Sequence, residues 1–344
     1  MNRTECHNVG MLVSKLVRER VLAKEEYVYL ISKCSADLVN TVSAEARKVA
    51  EANFGHKILL RGLLEISNYC RNGCRYCGLR CPNHDVKRYR MSREQILERC
   101  RYAYTLGLRT FVLQGGEDSE QTDEWISSVV RALKSEMPDA AVTLSVGERS
   151  HEGYCMMREA GADRYLLRHE AVDETLYAQL HPVGMSLPRR IECLYELKRL
   201  GFQTGTGFMV GVPFQTAGHI ADDLLFIHKL QPEMIGIGPF IAAHGTPFEN
   251  ESHGSLELTL LLIGILRLMF PTAHIPSTTA LATLSPEGRL RGILAGANVV
   301  MPNISPAEVR DKYSIYDGKA AFGAECAEGI RLLEEQLVSI GYRI

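Results

Sequence analysis

From residue 57 onward the apolar positions fall into two alternating rhythms. Short unbroken apolar runs mark strands covered on both faces, and longer stretches with an apolar return every three or four residues mark helices with one buried side. The strand-like runs are 57–67 (KILLRGLLEIS), 110–114 (TFVLQ), 141–145 (AVTLS), 164–168 (RYLLR), 206–210 (TGFMV), 234–240 (MIGIGPF), 274–278 and 298–301. Helical stretches lie between them. One runs from the Ser92/Gln95 capping box to about residue 106, and others cover 123–135, 151–160, 189–200, 217–230, 256–270 and 290–295. An amphipathic stretch over 322–340 follows the last strand, with Gly341 after it. Residues 1–55 read as helical throughout. Ser35 caps a helix to about Asn53, with Leu38, Val42, Ala46 and Val49 near the 3.6 spacing and Gly55 stopping it; two shorter helices precede it.

Eight strand–helix units in one array predict an α/β fold, a full (β/α)8 barrel. The expected division is an N-terminal helical layer over 1–55, the barrel over 56–321, and a C-terminal helix over 322–344 packing on it. Connections are short, and no linker or low-complexity segment interrupts them.

Composition narrows the function. The 344 residues are 46% hydrophobic and 23% charged, ordinary for a globular protein. The formal net charge of -2 gives no basic patch for nucleic acid. No apolar run is clean enough to span a bilayer; the strongest, 256–270, carries Glu257 and Arg267 and reads as a buried helix. The opening MNRTECHNVG lacks the form of a signal peptide. A cytoplasmic monomer is expected. Ten cysteines in that compartment are not a disulfide framework but suit a metal cluster, in an oxygen-poor cell.

Cys70, Cys74 and Cys77 stand at Cx3Cx2C spacing directly after the first strand. Thiolates are the soft ligands that iron–sulfur clusters and zinc prefer. Three thiolates on a four-iron cube leave one iron open for a ligand. A structural zinc site would want a fourth ligand and usually a second CxxC. Cys81 follows four residues on; Gly78 permits a turn that carries it away, leaving it a free thiol.

Barrel enzymes place their chemistry at the C-terminal ends of strands. Strand two ends in Gln114, Gly115, Gly116, Glu117 and Asp118, and strand three in Ser145, Glu148 and Arg149. Strand four ends in Arg168, His169 and Glu170; Glu170 can accept two ribose hydroxyls, whereas His169 suits a satisfied core position. Arg189 and Arg190 open the next helix, where a guanidinium can hold a carboxylate. Strand seven ends in Ser277, Thr278 and Thr279, and Met209 and Met301 fit a cavity wall.

The cysteine spacing, with Tyr76 before the last cysteine, resembles that of the radical S-adenosylmethionine (SAM) enzymes. Across 56–320 the words EISNYCRNGCRYCGLR, KRYRMS, FVLQGGED, AGADRYLLRHE, GFMVGVP, GIGPFI, HGTP, IPSTTA and GANVVMPNISP resemble the FeFe-hydrogenase maturase family HydE. The resemblance implies a 4Fe–4S cluster on Cys70, Cys74 and Cys77. It implies SAM held by Tyr76, Gln114, Gly115, Gly116, Glu117, Ser145, Glu170, Arg190 and Met209, with Gly-Gly-Glu at the methionyl amino group. It implies a substrate or anion site of Arg164, Arg168, Thr278, Thr279 and Met301. The implied activity is reductive cleavage of SAM to a 5′-deoxyadenosyl radical, acting on a cysteine-bound iron carbonyl–cyanide unit. Implied partners are a tyrosine-lyase maturase, which makes that unit, and a GTPase scaffold maturase. Some family members carry a second cluster on three cysteines near the C-terminus; here that region has only Cys326, which predicts a single cluster. Two other readings are a methylornithine-synthase-like mutase and a non-catalytic iron–sulfur or zinc module.

Overall fold

The computed structural model describes residues 3–320 and 326–344. Three helices lead the chain: α1 (Arg3–Glu19), α2 (Lys24–Ser32) and α3 (Ala36–Phe54). Ser35 caps α3 by accepting from the Leu38 N–H, and Gly55 ends it at φ 60°. The first half of the barrel follows as β1 (Leu59–Leu60), β2 (Gly62–Ser67), α4 (Arg93–Thr105), β3 (Thr110–Gly115), α5 (Asp123–Glu136), β4 (Ala141–Ser145), α6 (His151–Glu159) and β5 (Arg164–Leu166). The second half is α7 (Glu174–Leu180), α8 (Leu187–Arg199), β6 (Gln203–Thr206), β7 (Met209–Val210), α9 (Ala217–Leu230), β8 (Met234–Ile235), β9 (Gly238–Pro239), α10 (Leu256–Met269), α11 (Thr279–Leu284), α12 (Gly288–Leu294) and β10 (Val299–Val300). A short α13 (Ala307–Arg310) and α14 (Cys326–Ser339) close the chain.

The barrel closes. β2-β3-β4-β5-β6-β8 form one parallel sheet. Beyond β8, bridges pair Met234 with His274 and Pro276 with Val299. β10 then pairs in parallel with β1, and Leu63 bridges Asn303. That circuit has eight staves, as the pattern predicts, but the staves are more broken than the apolar runs. The fifth divides into β6 and β7 and the sixth into β8 and β9, around Gly207 and Gly236. A Cβ on Gly207 would stand 2.0 Å from the Gly236 carbonyl oxygen, so the two staves approach as only glycine permits. The seventh, expected at 274–278, is held by isolated bridges and not a continuous ladder. Helices α7 and α11 were not foreseen. Residues 322–325 of the expected C-terminal helix lie outside the described residues.

Leu64, Ile66, Phe111, Leu113, Val142, Leu144 and Tyr165 pack outward into the helical layer. Side chains alternate along a strand, so Glu65, Gln114, Thr143, Ser145, Arg164 and Arg168 face the bore. The bore is therefore polar and charged, which suits a reaction chamber better than a packed core. Against staves five to seven, α3 packs on α10 and α2 on α9. Gly264 sits where a Cβ would meet Val42 Cγ1 at 2.7 Å, which brings α3 and α10 together.

Arg267 on α10 is fully buried and has no carboxylate against it. Its guanidinium donates to the carbonyls of Gly296, Phe270 and Pro271 and to Asn298 Oδ1, between 2.8 and 3.1 Å. Asn298 Oδ1 also accepts from the Ile275 N–H at 2.8 Å. One arginine thus ties α10 to the starts of staves seven and eight. Arg267→Met should cost about 2–4 kcal/mol of stability, because four buried acceptors lose a donor. Urea unfolding of the two proteins measures it; a loss below about 0.5 kcal/mol would refute this role.

Candidate active site

The loop after β2 carries the cysteines, and two polar side chains, half-buried Arg88 and buried Asn68, hold it in shape. Arg88 donates to the carbonyls of Asn68, Leu79, Arg80 and Asn83, at 2.5 to 3.0 Å. Asn68 is fully buried, donates to the carbonyls of Lys87 and Lys312, and accepts from the Tyr89 N–H at 2.7 Å. The loop is also tied to its neighbours through backbone bonds from Arg71 N to Glu117 O and from Arg75 N to Leu180 O. A Cβ on Gly116 would stand 2.4 Å from the Tyr69 carbonyl oxygen and 2.6 Å from Cys70 Cβ. That glycine exists so the end of stave two can lie directly on the cysteine loop. Arg88 and Asn68 support the site and do not stand out in the sequence; their signal is a polar residue next to a metal-binding word that hydrogen-bonds only to the backbone, which only the fold reveals.

Burial pushes the Cys70, Cys74 and Cys77 thiols up, Cys77 to about 12; Cys77 and Cys70 push Cys74 further, and Cys70 pushes Cys77. The three therefore lie close together. Yet among the described residues no three His, Cys, Asp or Glu side chains close on one point as a single metal ion needs. Three thiols on one short loop are a soft donor set, and it fits a 4Fe–4S centre with one iron unliganded by protein. Cys81 is exposed, with its N–H turned back to the Asn72 carbonyl.

Beside the thiols lies a ring of charged groups. Arg190 is buried, and its Nε meets Glu148 Oε1 at 2.6 Å while Nη1 donates to the Arg168 carbonyl at 2.6 Å. Burial alone would lower its pKa, but Tyr177 and Glu148 hold it above the ordinary value. Arg189 instead pairs with Glu192 and donates to the Arg149 carbonyl, both at 2.8 Å, so of the two arginines it is Arg190 that lies beside the thiols. Glu170 has φ 66°, a left-handed conformation that costs a non-glycine residue about 1–3 kcal/mol. Its Oε2 lies 3.0 Å from Arg168 Nη2. Glu170 Oε2 and Arg168 Nε and Nη2 are buried without a well-formed hydrogen bond. This ion pair, short of hydrogen bonds and on a strained backbone beside the thiols, fits a polar ligand such as the ribose and carboxylate of SAM.

Glu117 departs from expectation. Its carboxylate meets Arg71 Nη2 at 3.0 Å and accepts from the Glu148 N–H at 3.0 Å, clamping the cysteine loop to the end of stave three. Gly147 makes room, since a Cβ there would stand 2.0 Å from Glu117 Cγ. Its side chain is thus engaged as a clamp, and not free for a ligand's amino group. Gln114 donates to the Tyr313 hydroxyl at 3.3 Å. Ser145 ends its stave facing the bore, half-buried, and Gly115 lies beside the Ser67 carbonyl. His169 is a structural residue: it meets Thr206 Oγ1 at 2.9 Å and Asp223 Oδ1 at 3.4 Å, pinning stave four to α9.

Tyr76 and Met209 form an apolar wall with Phe240 and Phe248. The Tyr76 hydroxyl lies 3.2 Å from His181 Nε2, and His181 Nδ1 lies 2.9 Å from the Tyr177 carbonyl. His181 and α7 were absent from the sequence reading. Thr278 Oγ1 is buried at the start of α11 without a partner, and Thr279 and Met301 line a cavity of about 260 Å³ with Asn303 and Lys319. Arg164 stands apart. It begins stave four at the opposite end of the bore, held by Gln203 Oε1 at 2.6 Å, and lines a cavity of about 540 Å³ with Arg61 and His274. The structure does not bring it to the mouth with Arg168.

A closed parallel barrel with three loop thiols and a charged pocket beside them defines a class. The chain belongs to the radical SAM superfamily, whose sequence pattern matches residues 64–227, and it is an enzyme that uses a 4Fe–4S cluster and SAM. Within that class it belongs to the family of the [FeFe] hydrogenase maturase subunit HydE of Thermotoga maritima, with 45% identity over 80% of this chain and 78% of that protein. It is also 30% identical to the 3-methylornithine synthase of Methanosarcina acetivorans, over 83% of this chain and 81% of that one. The crystal structure of methylornithine synthase (PylB) superposes with a TM-score of 0.83 at 27% identity, covering 96% of each chain. The maturase HydG shares the fold, with a TM-score of 0.81 at 19% identity, over 98% of this chain and 75% of that one. Among the described residues no helix is long and apolar enough to cross a membrane.

Burial and the nearby Arg190 lower the His181 pKa from 6.5 to about 3. The neutral ring accepts a hydrogen bond from the Tyr76 O–H at Nε2 and donates its Nδ1–H to the Tyr177 carbonyl. Between pH 6.5 and 3 the unfolded chain binds a proton that the folded chain refuses, so stability is lost as pH falls below 6.5. From pH 7.5 to 5.5 this group should remove about 1.4 kcal/mol. Urea midpoints of the wild type and His181→Gln across that interval measure it; identical pH slopes in the two would contradict the assignment.

Proposed function

We propose that this protein is a radical SAM maturase that processes a cysteine-bound iron carbonyl–cyanide unit during assembly of the FeFe-hydrogenase active site. The observation that carries the reading is the Arg168–Glu170 ion pair, short of well-formed hydrogen bonds, beside three loop thiols at the mouth of a polar bore. Cys70, Cys74 and Cys77 would hold the single cluster. Glu170 would accept from the ribose hydroxyls, and Arg190, kept charged by Glu148, would hold the methionyl carboxylate. When bound, cluster and SAM together supply one electron and a sulfonium, giving methionine and a 5′-deoxyadenosyl radical.

The chain's own residues do the rest. Gly116 and Glu117 fix the cysteine loop against staves two and three, so its thiols do not drift. Tyr76, Met209 and Phe240 keep water from one side of the pocket. Arg168, Thr279 and Met301 would face the substrate. Such a unit would come from another maturase, and the product would pass to a scaffold; the reaction suits the cytoplasm. The likeness to methylornithine synthase across nearly the whole chain favours one second reading, an amino-acid mutase.

Anaerobically reconstituted protein, given reductant and SAM, should release 5′-deoxyadenosine; an intact cluster with no product would sink the enzyme reading. Faster release with a synthetic cysteine-bound iron carbonyl–cyanide complex than with lysine separates the maturase from the mutase. Glu170→Gln should weaken SAM binding by about 1–3 kcal/mol with the cluster intact, and Arg190→Ala should weaken it more than Arg189→Ala; calorimetry checks both, and unchanged affinity in Glu170→Gln removes its ribose role. Cys81→Ala should keep full cluster iron where Cys74→Ala loses it; iron counting that finds a deficit in Cys81→Ala would mean a different ligand set.

A further inference from the structure

The segment that follows stave eight, residues 306–320, crosses the mouth of the barrel and is seated on the loops of several staves. Its Lys312 carbonyl accepts from Asn68 Nδ2 at 2.8 Å, and its Ile315 carbonyl from the Gly78 N–H at 2.9 Å. Asp317 N donates to the Ala242 carbonyl at 3.1 Å, and Asp317 Oδ1 accepts from the His244 N–H at 3.0 Å. Ala320 N donates to Thr283 Oγ1 at 3.0 Å. The fit to the cysteine loop is close. A Cβ on Gly78, the residue after Cys77, would stand 2.2 Å from the Ser314 carbonyl oxygen. Gly78 therefore serves this strap as well as the turn toward Cys81.

The strap delivers a cation into the bore. Lys319 Nζ pairs with Glu65 Oε1, and the side chains are 17% and 1% exposed. Glu65 lies on stave one, five residues before Cys70, and its other oxygen accepts from Asn303 Nδ2 at 2.9 Å. Burial pushes the Glu65 pKa up, and Lys319 is the strongest of the groups that oppose it. An ammonium has three N–H donors. One goes to Glu65 and one to the Tyr313 carbonyl at 3.2 Å, which leaves one. Lys319 shares a cavity lining with Thr279 and Met301. Glu65 and Asn303 fix the position of the ammonium, and the strap that carries it covers the chamber.

We propose that residues 306–320 are a fitted wall of the reaction chamber and that Lys319, aimed by Glu65, is a positioning residue for a carboxylate on the substrate. The proposal rests on the reading above of a cysteine-bearing substrate and adds which residue takes its anionic end. The remaining N–H of Lys319 donates to the carboxylate, and Glu65 keeps the ammonium from turning out to solvent.

Two measurements on the holoenzyme test it. L-cysteine is titrated by calorimetry into the SAM-loaded protein, which requires no turnover. K319M and K319Q should bind it about tenfold more weakly than wild type, the loss of one charged hydrogen bond, and K319R should stay near wild type. Equal binding to wild type and K319M, or no binding to either, overturns the proposal. With a synthetic cysteine-bound iron carbonyl–cyanide complex, K319M should raise the half-saturating concentration about tenfold while probe-free SAM cleavage stays within about twofold. Parallel loss of probe-free cleavage in K319M and K319Q, with K319R intact, would mean the strap is merely structural. A wild type that cleaves SAM and binds L-cysteine but ignores the complex would sink the maturase reading and leave Lys319 standing. Hydrogen exchange adds a readout on the strap itself: L-cysteine should slow exchange at the Ile315 to Asp317 amides in wild type and not in K319M, and equal exchange in both refutes the contact.

Discussion

The site depends on keeping a charged arginine inside the protein. Arg190 is out of water, and burying an unpaired guanidinium would cost several kcal/mol. Glu148 at 2.6 Å and the Arg168 carbonyl at 2.6 Å offset that cost. Each partner comes from a different stave end, so neutralising Arg190 also sets the spacing between staves three and four and helix α8. Glu148 in turn gives its N–H to Glu117, and Glu117 holds Arg71 in the cysteine loop. The thiols are thus connected to the pocket beside them through a continuous run of ion pairs and backbone bonds. A shift at Arg190 would be felt at Cys70.

Against that satisfied run, the unsatisfied groups stand out. Folding tolerates Glu170 at φ 66° and leaves its carboxylate and the Arg168 guanidinium without well-made hydrogen bonds. The neighbouring His169 meets Thr206 Oγ1 with one ring nitrogen and faces Asp223 with the other, without a well-formed hydrogen bond there, and so sits between stave five and α9. The two adjacent residues differ in surroundings: His169 lies between Thr206 and Asp223, whereas Glu170, on a left-handed backbone, lies beside Arg168 and the thiols.

Much of the barrel was legible because its information is local. Apolar runs, the Ser35 and Ser92 caps and the glycine stops each act within a few residues, and the helices α3, α4, α5 and α9 fall within a residue or two of their expected ends. The cysteine triplet was legible for the same reason. What escaped notice depends on distant partners. Gly207 breaks its stave because Gly236 lies against it; Arg88 holds the cysteine loop through four carbonyls that sequence cannot assign to it; Glu117 reads as a ligand until Arg71 and Gly147 are seen around it. Arg164 and Arg168 are alike in sequence and face the same bore, yet a rise of about 3.3 Å per residue puts them at opposite ends of it.

The region after stave eight carries the same lesson to the mouth of the barrel. Cys326 is the one cysteine there, so three thiolates for a second cluster are not available to anchor it. Hydrogen bonds from Asn68 and Gly78 seat the strap on the very loop that bears Cys70, Cys74 and Cys77, and Lys319 pins its end to Glu65 on the stave that precedes that loop. Closure of the chamber and geometry of the thiols then share the same few residues. Asn68 donates at once to Lys87, which shapes the loop, and to Lys312, which lies in the strap. A chamber built this way is closed by the bonds that seat the strap and by the close fit of Gly78 on the Ser314 carbonyl, and both keep water from its interior.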